Sequence, residues 1–166
     1  MKKEELIILG IDPGTATTGW AILSQTERNL NPLGYGHIST EKFYSDDTRI
    51  LELSQDLKKI INQYKPQEAA IESLFFFKNK KTVISVAQAR GAILLTLRQN
   101  NVKVFGYTPL QIKQALTGYG RAEKKQMQEM VKNILKLKTV PQPDDTADAI
   151  AIALCHSHSR KMALLK

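Results

Sequence analysis

The first forty residues hold three apolar runs joined by connections too short for a helix, and this limits the possible folds more than any other feature. Leu6 to Asp12, Thr18 to Leu23 and Leu33 to Ser39 each read as a strand, with turns expected at Pro13-Gly14 and Asn31-Pro32. A parallel crossover needs a dozen or more residues, so strands this close in sequence pair antiparallel.

The period then changes. Leu51, Leu53, Leu57, Ile60, Ile61 and Tyr64 recur at helical spacing between Thr48 and Tyr64, and Pro66 closes the segment. Glu68 to Ser73 reads as a fourth strand, Val83 to Gln99 as a helix and Val102 to Tyr107 as a fifth strand. Thr108 before Pro109 is a hydroxyl cap followed by proline at the first helical position, and it predicts a short helix to Thr117, halted by Gly118. A helix from Lys124 to Leu137 follows, and beyond Pro141 and Pro143 a last one runs from Asp144 or Asp145 to His158. Strands four and five each follow a helix, so both can lie parallel to the first. The expected fold is α/β: a mixed five-stranded sheet flanked by helices, resembling ribonuclease H-like folds, with residues 1–166 forming a single domain.

Apolar residues make up 42% of the chain and charged residues 24%, which excludes a disordered chain. The opening MKKEELIILGID is interrupted by Asp12 too soon to be a signal peptide or a membrane span, so a cytoplasmic location is expected, with no membrane partner. Cys155 is the single cysteine and lies in an apolar helical stretch, as a buried structural thiol would. Charge is distributed unevenly. Between Lys78 and Lys138 there are thirteen Lys or Arg and two acids, Glu123 and Glu129, whereas the remainder is net acidic. That asymmetry points to a polyanionic partner, although a Lys-rich solvated helix surface would look the same.

Asp12 and Glu72 each end an apolar strand, where a carboxylate either caps the following turn or serves as a ligand. Asp145 and Asp148 lie three apart on the last helix, among Ala147, Ala149, Ala151 and Ala153, whose small side chains permit close approach to the sheet. Asp144 and Asp145 also suit the positive end of the helix dipole, a reading that fits Asp148 less well, one turn further in. If the acids converge, each like-charged pair about 4 Å apart repels by about 4 kcal/mol at an effective dielectric near 20, so cations or protons must enter. Oxygen ligands without Cys or a placed His favour Mg²⁺, two ions per site, with Mn²⁺ as a substitute. The chemistry this suggests is phosphodiester hydrolysis with water as nucleophile.

Several stretches together resemble one family. ILGIDPGTATTGWAIL, AIESLFFFKNKKTVISVAQARG, TPLQIKQALTGYGRAEKKQMQEMV and PQPDDTADAIAIALCH match, in order, the motifs of the RuvC Holliday junction resolvases, from about Leu9 to His158. The resemblance implies that Asp12, Glu72, Asp145 and Asp148 are catalytic, metal-binding carboxylates, with Asp144 off the family spacing. It further implies a homodimer that nicks four-way junction DNA symmetrically, in recombination and repair, beside the branch-migration proteins RuvA and RuvB. Phe75 matches a position acting at the junction crossover, although Phe76 and Phe77 offer the same chemistry. Lys78, Lys80 and Lys81 are expected to hold phosphates. Lys113 and Lys124 match basic residues near the scissile phosphate, and either also fits a solvated helix lysine.

Two other readings compete. Asp12-Pro13-Gly14-Thr15 imitates the phosphate loop of actin-like and sugar-kinase ATP-binding enzymes, but those need two large lobes. A junction-binding module without chemistry is disfavoured by the presence of all four acids. Cys155, His156 and His158 form a weak zinc pattern, and helix-end or surface histidines are the expected alternative. The apolar stripe of Val83, Val86, Ala87, Ile93, Leu94 and Leu97 suits either a dimer contact or packing on the sheet.

Overall fold

The structure is a computed structural model, and it describes residues 5–14, 16–27, 29–73 and 83–163, with side chains to residue 160. Five strands form one sheet in the order β3-β2-β1-β4-β5. They are β1 (Leu6–Asp12), β2 (Thr17–Gln25), β3 (Leu30–Ser39), β4 (Glu68–Glu72) and β5 (Lys103–Tyr107). β1 pairs antiparallel with β2, and β2 with β3, whereas β1, β4 and β5 run parallel, as the connection lengths require.

The helices are α1 (Asp46–Tyr64), α2 (Val83–Gln99), α3 (Pro109–Thr117), α4 (Lys124–Ile134) and α5 (Asp144–Ala163). Side chains alternate along each strand, so the sheet has two distinct faces. Leu9, Ile11, Ala69 and Ile71 turn to the α1 and α2 side, where Leu57, Ile61, Ile93 and Leu97 complete the core. Ile8 and Ala70 turn the other way, into a cluster with Ile150, Ile152 and Leu154 of α5.

Parity therefore sends Asp12 and Glu72 to the α5 face, because each lies an even number of residues from Ile8 or Ala70. The last β1–β4 pair is Ile11 with Ile71, which leaves Asp12 and Glu72 side by side at the ends of neighbouring parallel strands.

α5 packs unusually close. A methyl group on Gly10 would overlap the Ala149 carbonyl oxygen and lie 2.7 Å from the Ala153 Cβ. One on Gly19 would overlap the Asp145 carbonyl, so two glycines of the sheet and the alanines of α5 together set the spacing.

Most boundaries match the sequence reading, and α3 does so in detail: Thr108 and Gln111 form a reciprocal capping box, Pro109 opens the helix, and Gly118 ends it at φ 69. The turn expected at Asn31-Pro32 is a correction. Both residues belong to β3, and the chain reverses earlier, with the Thr26 N–H donating to the Asn29 carbonyl at 2.9 Å. Proline is tolerated because β3 is an edge strand and its register shifts between Ile22 and Leu23. α4 also stops at Ile134, short of Leu137, and α5 runs beyond His158 to Ala163.

Candidate active site

Three elements deliver acids to one end of the sheet. β1 ends in Asp12, β4 ends in Glu72, and the first turns of α5 bring Asp145 and Asp148 over Gly19 and the β1 terminus. Carboxylate oxygens of Asp12, Asp145 and Asp148 all lie within 4.8 Å of one another. Glu72 stands outside that trio, yet it lines the same open cleft of about 610 Å³ as Asp12 and Asp148.

The trio is electrostatically unsatisfied. Burial, then the charges of Asp148, Glu72 and Asp145, push the Asp12 carboxyl up to about 8. Burial also raises Asp145 and Asp148, with the Lys124 ammonium opposing the rise in both. Like charges held this close and partly buried favour a proton or a cation between them. A set made only of carboxylate oxygens, open on one side to a cleft, fits a hard divalent cation that keeps several waters.

Lys124 opens α4 and reaches across to α5. Its Nζ donates to Asp144 Oδ2 at 2.9 Å and lies 3.5 Å from Asp148 Oδ2. Lys113, from α3, lines the same cleft. Two of the five sequence-predicted lysines, Lys113 and Lys124, thus flank the acids, whereas Phe75, Phe76, Phe77, Lys78, Lys80 and Lys81 lie outside the described residues.

His37 was given no role from the sequence. Cross-strand register places it in one row with Gly19 and Asp12, exposed, and its charge acts on Asp145. The period-two pattern of β3 could have placed it on that face, but only the register shows which residues it neighbours.

The histidine expectation at the chain's end needs correcting for His156, which is fully buried. Its Nε2 is 2.8 Å from Glu68 Oε2 and its Nδ1 is 2.7 Å from the Tyr107 hydroxyl. Glu68 also accepts from Arg160 Nε and Nη2, at 2.8 and 3.0 Å. If Nε2–H donates to the carboxylate, Nδ1 accepts from the Tyr107 hydroxyl, and the network locks the far end of α5 onto β4 and β5. Cys155 is buried beside it, as a structural thiol.

Acids gathered where parallel strands end, roofed by a helix and flanked by lysines, define a metal-dependent nuclease of the ribonuclease H-like class. The comparisons narrow this. The family described as "Crossover junction endodeoxyribonuclease RuvC" matches residues 8–156. A protein of that description from Roseiflexus sp. (strain RS-1) is 49% identical over 154 residues, covering 93% of this chain and 92% of the relative. One from Caldicellulosiruptor saccharolyticus is 49% identical, with 95% of each chain covered. Among solved structures, Thermus thermophilus RuvC superposes with a TM-score of 0.87 at 31% identity, covering 95% of this chain and 96% of that one. The same T. thermophilus protein in complex with Holliday junction substrate gives 0.84 at 29% identity, over 95% and 96%. This chain belongs to the RuvC family of crossover junction endodeoxyribonucleases.

Proposed function

We propose that this protein resolves four-way DNA junctions by paired symmetric nicks, hydrolysing phosphodiesters with water at a site built from Asp12, Glu72, Asp145 and Asp148. Its family acts as endodeoxyribonucleases on crossover junctions. The observation that carries the reading at residue level is the meeting of Asp12, Asp145 and Asp148 within 4.8 Å, beside the cleft that Glu72 also lines.

The donor set suits Mg²⁺, two ions per site, with Mn²⁺ as substitute. Asp12, Glu72, Asp145 and Asp148 would hold such ions, which would supply Lewis-acid polarisation of the phosphate and activation of water. The chain's own residues supply the rest. The acids fix where positive charge collects, and Lys113 and Lys124 hold the strand's phosphates on the α3 and α4 side. Phe75 wedges at the crossover while Lys78, Lys80 and Lys81 take neighbouring phosphates.

Paired nicks require a two-fold assembly, and α2 supports a homodimer. Ile84 and Leu95 are 73% and 60% exposed, and Gly91 between them has open space above it, all on one helical face. Cooperation with RuvA and RuvB, in the cytoplasm, rests on the family resemblance.

Cleavage of a synthetic four-way junction with Mg²⁺ tests the reading. Wild type should cut symmetrically, whereas Asp12→Asn should bind the junction and leave it intact. Unaltered cutting by Asp12→Asn would remove Asp12 from the mechanism.

A further inference from the structure

Asp144 is the neighbour of Asp145 but does not share its surroundings. Successive helical residues diverge by about 100° around the axis, so two adjacent acids cannot both face the trio. Both Asp144 oxygens are engaged by α4 instead. Oδ2 accepts from Lys124 Nζ at 2.9 Å, and Oδ1 accepts from Gln128 Nε2 at 2.9 Å. Lys124 and Gln128 are four apart, hence neighbours on one helical face.

The result is a chain of contacts from Gln128 through Asp144 to Lys124, whose ammonium reaches on to Asp148 at 3.5 Å. Lysine is a flexible stem with a strongly hydrated head, and the Lys124 side chain is 54% exposed. Left to itself, such a side chain spends its time in solvent. A carboxylate whose second oxygen is held by an amide gives the ammonium a fixed anchor 2.9 Å away, at the lip of the acidic group.

We propose that Asp144 is a positioning residue: clamped by Gln128, it tethers Lys124 so that the ammonium meets a phosphate oxygen of the cleaved strand. The inference rests on the junction-cutting reading above and assigns Asp144 neither to the metal nor merely to the helix dipole. Those two roles are distinguishable from tethering. A ligand would act whatever residue stood at 124, and a dipole partner would change the stability of α5 without involving Lys124. An exposed ion pair adds little to stability, so the variants below should fold.

The test is a double-mutant cycle over wild type, Asp144→Asn, Lys124→Met and the double variant. Four quantities are read: single-turnover cutting in saturating Mg²⁺, the Mg²⁺ concentration for half-maximal cutting, junction affinity in EDTA, and melting temperature in EDTA. Removing a residue that orients another should slow cutting and weaken EDTA binding, each by about tenfold. In the Lys124→Met background, Asp144→Asn should change neither, and Asp144→Glu should restore part of the loss when Lys124 is present. Multiplicative losses in the double variant would overturn the tether. So would a raised Mg²⁺ requirement on adding Asp144→Asn to Lys124→Met, which would mark a ligand. Were wild type not to cut at all, the nuclease reading would fall, while the cycle in EDTA would still decide whether Asp144 acts through Lys124.

Discussion

Asp12 concentrates the chemistry of the site in one carboxyl group. With its pKa pushed up to about 8 by burial and three neighbouring acids, it holds a proton at neutral pH when no cation is present. The folded state therefore binds that proton more tightly than the unfolded chain, whose carboxyl sits near the ordinary aspartate value of 3.8. The stability gained is complete at acid pH and disappears as pH climbs through the folded value. In EDTA the melting temperature should fall between about pH 4 and about pH 8, and Asp12→Asn should flatten much of the slope. An equal slope in the variant would mean that Asp12 is not the group held protonated. Cation binding displaces the same proton, so Mn²⁺ affinity measured by calorimetry should rise with pH over this range. The placement of the four acids was legible in the sequence, since Asp12 and Glu72 end apolar strands and Asp145 and Asp148 share a helical face, but the sequence did not show that Glu72 stands outside the close group of Asp12, Asp145 and Asp148. Glu68 was not legible, because its partners Arg160 and His156 are about ninety residues away in sequence and meet it only through the packing of α5.

Among the elements, α5 controls the site, and its distance from the sheet is the quantity that matters. Gly10 and Gly19 leave room for its backbone, so each is a packing requirement and not a turn. Gly10→Ala should cost about 3 kcal/mol or more, since overpacking here meets backbone as well as a side chain. Gly19→Ala presses on the Asp145 carbonyl itself and should raise the Mg²⁺ concentration needed for half-maximal cutting more than it lowers the melting temperature. The opposite balance would mean that Asp145 is not positioned by this contact. At the other end, Glu68→Ala would remove the carboxylate that holds the buried His156 and Arg160, and denaturant unfolding should show a loss of about 3 kcal/mol. Element order and type were readable from hydrophobic period and connection length. The ends were harder: Pro32 reads as a turn in isolation and is a strand residue only because β3 lies at the sheet's edge.

At the scale of the whole molecule, the distribution of charge bears on how DNA is held. The basic segment from Lys78 to Lys138 supplies Lys113 and Lys124 to the cleft, beside acids that come from both ends of the chain. Junction binding should weaken steeply with salt as phosphate contacts release counterions, and a flat log–log plot of affinity against salt would contradict the basic face. None of this succeeds unless the carboxylates capture metal. Crystals soaked in Mn²⁺ and measured at its absorption edge should show anomalous density bounded by oxygens of Asp12, Asp145 and Asp148. Clean density elsewhere, with none among those three side chains, would contradict the account.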